Sequence, residues 1–220
     1  MRKKITVVTM GQSPVNPETH DVYHILAQKC DVELHGILDG MSEAETETLA
    51  PEGNELFIVT SLRTGREVRL AERNAIRLVN ERLLEAEQNG SAAALIFCTG
   101  HFDIPEMHMP IFIPEKILFS LLQAMGVKRL GAIVPKPGQI EASMAYYSEF
   151  SPRICAASPY GPREEIEAVA ASFRDSDVDM LMADCMGFTE DLGELIRNAS
   201  GKQVFVPRVV LPALLKAVVS

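Results

Sequence analysis

The sequence predicts an α/β protein made of two similar Rossmann-like halves, each a parallel sheet with helices packed on it. Three observations lead there. Short, continuous apolar runs rich in β-branched residues recur along the chain, as strands buried on both faces require. Segments of helical periodicity fill the spaces between them. The order of motifs in the first half then returns in the second, as in a repeat related by a pseudo-twofold axis.

The first strand is Ile5-Thr-Val-Val-Thr-Met10, closed by Gly11. Similar runs follow at Leu56–Val59, Ala92–Phe97, Leu130–Val134, Ile154–Ala157, Val178–Met182 and Val204–Val206, with a weaker candidate at Val32–Leu38. Between them, Val68, Ala75, Ile76, Val79, Leu83 and Ala86 fall near one helical face and predict a helix from Arg66 to Gln88. Thr64 and Glu67 have capping-box spacing at its start. Ile117, Leu118, Leu121, Leu122 and Met125 predict a second helix, for which Pro114 suits the first position. Ile166, Val169, Ala170 and Phe173 predict a third between Arg163 and Arg174. Strand-helix alternation of this kind makes right-handed βαβ units and a mainly parallel sheet. The apolar C-terminal run, broken by Pro207, Arg208, Pro212 and Lys216, is expected to be a buried helix.

The repeat has three parts in each half. A strand leads into Thr9-Met-Gly-Gln-Ser-Pro14 and again into Val134-Pro-Lys-Pro-Gly-Gln139. A strand, a turn and a charged helix start are read in Val59-Thr-Ser-Leu-Arg-Thr-Gly-Arg-Glu67 and in Ala156-Ala-Ser-Pro-Tyr-Gly-Pro-Arg-Glu164. Ala94-Leu-Ile-Phe-Cys-Thr-Gly100 and Met180-Leu-Met-Ala-Asp-Cys-Met-Gly187 close the halves. The division expected is residues 1–113, joined by the C-terminal helix 207–220, and residues 114–206.

Composition narrows the function. A net charge of −9 argues against nucleic acid, whose affinity for proteins comes largely from Lys and Arg on phosphates. It leaves a small anionic ligand open, because such a ligand responds to the local field. No stretch approaches the roughly 20 apolar residues a membrane-spanning helix needs. Met1-Arg-Lys-Lys4 resembles the start of a signal peptide, but the apolar stretch after it ends by Gly11. Cys30, Cys98, Cys155 and Cys185 are scattered without CxxC spacing and read as reduced thiols, so a cytoplasmic protein is expected.

In open parallel sheets, ligands bind beyond the carboxyl ends of the strands. Cys98 and Cys185 are expected there, each closely followed by a glycine, and in a pseudo-twofold arrangement they would face one another across a cleft. Two opposed thiols suit proton transfer at a carbon beside a carboxylate: a thiolate removes a proton and a thiol returns one. Thr189, with Glu190 and Asp191 behind it, reads as a helix N-cap close to Cys185, a position that favours an anion. The alternative for both cysteines is that of small buried hydrophobes, which is also the reading for Cys30 and Cys155. Gly11, Gln12 and Ser13 offer N–H groups and short polar side chains suited to a ligand carboxylate, with Thr60, Ser61, Thr99, Gly100, Met186 and Gly187 as further lining. Arg63 and Arg66 are placed to attract an anion beside Thr60 and Ser61, or are solvated. The five acidic residues from Glu43 to Glu55 read as a solvated face. His101, Asp103 and His108 match no established metal spacing, and Gly11-Gln-Ser13 lacks both the dinucleotide fingerprint and the P-loop lysine, so neither metal nor cofactor is expected.

The motif order over nearly the whole chain resembles the AroM family, within the aspartate/glutamate racemase superfamily. The resemblance rests on Thr9-Met-Gly-Gln-Ser-Pro14, Ile113-Pro-Glu-Lys-Ile-Leu118, Gly131-Ala-Ile-Val-Pro135 and Asp184-Cys-Met-Gly-Phe188. It implies an Asp/Glu racemase-like fold with a cleft between the halves. It also implies a cofactor-independent racemase or isomerase acting on a small carboxylate, with Cys98 and Cys185 as the catalytic pair. Racemases of the superfamily usually carry Asn-Thr after the first cysteine and Gly-Cys-Thr around the second; this chain has Thr99-Gly100 and Asp184 instead. Those departures keep two alternatives open: a decarboxylase, or a non-catalytic carboxylate-binding protein linked to aromatic amino-acid metabolism. The oligomeric state, a homodimer included, stays open too.

Overall fold

The computed structural model of the protein describes residues 2–219. The chain falls into two compact units: Met1–Pro114 with Leu211–Ser220, and Glu115–Val210. Among the described residues no helix is long and apolar enough to cross a membrane.

The first unit is built on β1 (Lys4–Thr9), followed by helix α1 (Asp21–Ala27), β2 (Asp31–Gly36) and the short helix α2 (Glu43–Glu47). Next come β3 (Phe57–Ser61), β4 (Glu67–Ala71), helix α3 (Glu72–Gln88), β5 (Ala93–Phe97) and the two-residue β6 (Ile111–Phe112). β1 is central, with β2 on one side and β5 on the other, all parallel, and β6 pairs in parallel outside β5. Val7, Val8, Leu95 and Ile96 are fully buried, which is why these strands read as unbroken apolar runs. Each such side chain stabilises the fold by roughly 1.5–3 kcal/mol. α3 turns Ala75, Leu78, Val79, Leu83 and Ala86 inward at helical spacing, and ends at Asn89 before Gly90, which takes a positive φ.

Two expectations for this unit are corrected. The run at Leu56–Val59 is no member of the parallel sheet: β3 pairs antiparallel with β4 as a separate hairpin, Ile58 opposite Leu70 and Thr60 opposite Val68. The helix expected from Arg66 therefore begins at Glu72, and Thr64–Glu67 belongs to the hairpin turn and not to a helix cap. The turn closes through Leu62 N–H to Arg66 O and Gly65 N–H to Leu62 O, with Gly65 at positive φ. Glu67-Val-Arg-Leu70 alternates with period two, and Leu70, buried against Ile58, decides the matter through packing.

The second unit contains helix α4 (Pro114–Ala124, from Glu115 onward), β7 (Leu130–Val134), helix α5 (Ile140–Tyr146), β8 (Arg153–Ala156) and helix α6 (Arg163–Ala171). It continues with β9 (Met180–Ala183), helix α7 (Glu190–Ser200), β10 (Val204–Phe205) and the start of helix α8 (Pro207–Val219). β7 is flanked by β8 and β9, and β10 lies outside β9, all parallel. Matched in chain order, β7, β8, β9 and β10 reproduce the arrangement of β1, β2, β5 and β6. The middle part of the repeat read from sequence does not survive: Val59–Glu67 forms the hairpin, whereas Ala156–Glu164 runs from a parallel edge strand into α6. The structural counterpart of β8 is β2, the weaker strand candidate.

Candidate functional site

β5, in register with Thr9 opposite Phe97, delivers Cys98 directly beyond its carboxyl end. β9 ends at Ala183 and delivers Asp184 and Cys185. Both thiols are half-buried. At each, the chain turns so that the backbone N–H two residues on points at sulfur. Gly100 N–H donates to Cys98 Sγ at 3.4 Å, and Gly187 N–H donates to Cys185 Sγ at 3.3 Å. The expected site residues Thr99 and Gly100 form the first of these turns, and Met186 and Gly187 the second.

The loop after β1 is held by a carboxylate of the chain itself. Asp39, just past β2, accepts from Ser13 N–H at 2.9 Å, Ser13 Oγ–H at 2.6 Å, Gly36 N–H at 2.8 Å and the Arg63 guanidinium at 2.9 Å. Arg63 also donates through Nε to Ser13 O at 2.5 Å. Gln12 accepts from Arg63 N–H and donates to Met41 O, both at 3.2 Å. The donors of Ser13, expected to meet a ligand carboxylate, thus meet Asp39. Gly11 lies so close to the hairpin that a Cβ there would sit 2.3 Å from Ser61 O and 2.9 Å from Thr60 Oγ1. Gly11, Gln12, Ser13, Thr60 and Ser61 are therefore brought together. The arginines are occupied as well: Arg66 pairs with Glu43 and Glu47 at 2.7 Å each, on an acidic face that is exposed as expected.

Around Cys185 the second unit uses other chemistry. Met186 is buried, and its carbonyl accepts from Arg208 Nη1 of α8 at 2.7 Å. A Cβ on Gly187 would lie 2.6 Å from Pro159 Cγ and 2.8 Å from the Tyr160 hydroxyl oxygen, so the loop after β8 packs onto this turn. Asp184 is buried and hydrogen-bonds the Tyr147 side chain. Burial, then the nearby Asp184 charge, pushes the Tyr147 phenol well above its ordinary range. Tyr146 is shifted upward by burial, then by the charge of buried Glu115 and last by that of Asp184, and its hydroxyl donates to Glu115 O at 3.2 Å. Thr189 is the N-cap residue of α7 in backbone geometry, but its hydroxyl goes to Asp191 and not to the helix N–H groups.

Of the remaining candidates, His101 lies 3.4 Å from Asp103 on the exposed surface, and Glu87 accepts from His108 N–H at 2.6 Å. Cys30 is buried, which raises its thiol above the ordinary value, and Cys155 packs against the core of the second unit. Asp39, Tyr147 and Arg208 are absent from the sequence-based set. The one local signal is Gly36-Ile-Leu-Asp39 at a strand end, an aspartate spaced to accept from a turn N–H.

The fold is that of the Asp/Glu racemase-type proteins. Solved structures that superpose on nearly the whole chain include a liganded double mutant of arylmalonate decarboxylase, with 14% identity, TM-score 0.62, and 98% of this chain and 91% of that one covered. The maleate isomerase Iso of Pseudomonas putida S16 matches at 13% identity and TM-score 0.59, covering 98% and 93%. Glutamate racemase of Aquifex pyrophilus matches at 17% identity and TM-score 0.56, covering 99% and 84%. No curated protein matches the sequence significantly. The family model described as AroM protein matches residues 5–219, and the chain belongs to that family.

Proposed function

We propose that this protein is a cofactor-independent enzyme of racemase or isomerase type, acting on a small carboxylate with Cys98 and Cys185 as acid and base. The observation that carries the reading is the matched N–H···Sγ turn at the third strand of each sheet. A hydrogen bond to sulfur favours the charged form, and the thiolate is the form that accepts a proton. One thiolate takes the proton from the carbon beside the carboxylate and becomes a thiol; the electron pair is held as the enolate. The second thiol delivers a proton to that carbon and becomes a thiolate. Maleate, glutamate and arylmalonate, named in the structural relatives, are small carboxylates, which supports the substrate class.

Gly11, Thr60, Ser61, Thr99 and Gly187 are proposed to line the site. Ser13 and Gln12 support the loop through Asp39 and Arg63. The free cysteines fit a reducing, cytoplasmic setting.

The test is solvent-deuterium incorporation into a panel of small mono- and dicarboxylates, followed by mass spectrometry. Incorporation at the α-carbon is expected, and Cys98→Ser or Cys185→Ser should each slow it by about 100-fold or more. Full exchange in both variants overturns the thiol mechanism. Saturable binding without exchange in the wild type replaces the enzyme by a carboxylate-binding protein.

A further inference from the structure

We propose that Arg208 is a positioning residue for Cys185, acting through the Met186–Gly187 peptide; the inference rests on the cysteine reading above. A trans peptide is planar, so its carbonyl and its N–H point in opposite directions. In this peptide both ends are engaged: the Met186 carbonyl accepts from Arg208 Nη1 at 2.7 Å, and Gly187 N–H donates to Cys185 Sγ at 3.3 Å. The guanidinium therefore does two things for sulfur. It holds the peptide plane in the orientation that aims N–H at Sγ. It also polarises the peptide, since a charge-assisted bond at the carbonyl strengthens the donor at the other end. Gly187 suits the geometry, because a Cβ there would force the side chains of Pro159 and Tyr160 to shift.

Other groups surround this turn. Asp184 directly precedes the cysteine, and Tyr147 of the segment after α5 hydrogen-bonds its carboxylate. Tyr160 carries its hydroxyl onto Gly187 from the loop after β8. The acidic first turn of α7 contains Glu190 and Asp191, the latter paired with Arg163 of α6 at 2.7 Å. Arg208, on the first turn of α8, supplies a positive charge through the peptide that itself touches the sulfur. Its effect runs through the peptide that donates to Cys185 Sγ, whereas Cys98 Sγ accepts from a different N–H, that of Gly100, so the shift is expected at Cys185.

The experiment is iodoacetamide alkylation of the intact protein across pH, with Cys98 and Cys185 quantified separately by peptide mass spectrometry, for wild type, Arg208→Gln and Arg208→Lys. In Arg208→Gln the alkylation midpoint of Cys185 should rise by about one pH unit, roughly a tenfold slower reaction at neutral pH. The lysine variant should recover part of that shift, and Cys98 should keep its profile in both. An unchanged Cys185 profile overturns the proposal, as does an equal shift of both cysteines, which signals general loosening. The readout needs no substrate. Loss of deuterium exchange in the panel sinks the enzyme reading while a shifted Cys185 profile stands, and the reverse result sinks the role of Arg208 alone.

Discussion

The two sheets share one strand order and one cysteine turn, yet each braces its strand-end loops by different means. The first unit gathers its loops around a single carboxylate, Asp39, which draws donors from the loop after β1, from the end of β2 and from the hairpin turn. The second relies on a guanidinium at a peptide carbonyl and a buried tyrosine on a carboxylate. The hairpin of β3 and β4 occurs only in the first unit among the described residues. A backbone hydrogen-bond pattern at sulfur is thus shared, while the side chains that brace the strand-end loops differ. The chemistry of the turn belongs to the backbone, and the loop bracing has freedom to vary.

Substitutions can break that comparison, and the largest effect is expected in the first unit. A Cβ on Gly36 would lie 2.4 Å from Ser13 N and 2.5 Å from Gly11 O, both backbone atoms that cannot move aside. Gly36→Ala should cost about 3 kcal/mol in chemical denaturation, whereas Gly187→Ala, meeting side-chain ends, should cost about 1 kcal/mol. Equal losses would show that the two loops are equally rigid. Asp39→Ala should cost about 2 kcal/mol, since it strands the Ser13 and Gly36 N–H groups. Added formate should restore part of the lost melting temperature, and failure to do so would count against a carboxylate-shaped hole.

Smaller effects are expected in the second unit. Tyr147→Phe removes the bond to Asp184 and should cost about 1 kcal/mol at neutral pH. The raised phenol of Tyr147 also sets a sign. Its stabilising contribution is full below the unfolded value of about 10 and is lost as pH rises beyond it. The phenylalanine variant should therefore show a flatter alkaline limb, and an unchanged limb would place the alkaline loss elsewhere. Smallest is Asp179, whose carboxyl is lowered to about 2 by the Arg129 side chain and then by the N–H groups of Arg129 and Lys128. Because its folded value is depressed, the stabilisation is present above about pH 4 and fades as pH falls toward about 2. Asp179→Asn should lower stability slightly at neutral pH, with the difference from wild type closing over that acid range.

Much of this architecture was legible in the chain. β1, β5, β7 and β9 are buried on both faces, so their apolar runs carry no competing pattern, and Cys98 and Cys185 stand where those runs stop. β4 was not legible, because Val68 fits the face of the following helix as well as it fits a strand. Pairing with β3 decides between them, and pairing is a contact rather than a local preference. Asp39 and Arg208 escaped for a related reason. Asp39 acts on Ser13, 26 residues away, and Arg208 on Met186, 22 residues away, and neither lies in a recurring motif.

Local patterning alone was enough to specify buried parallel strands, covering helices and two cysteines at corresponding strand ends, because burial imposes apolar periodicity on the chain directly. Only the tertiary structure could decide what surrounds those cysteines. The direction of an N–H, the partner of a carboxylate and the far end of a guanidinium depend on where distant loops meet, and those meetings leave no periodic trace in the residues that make them.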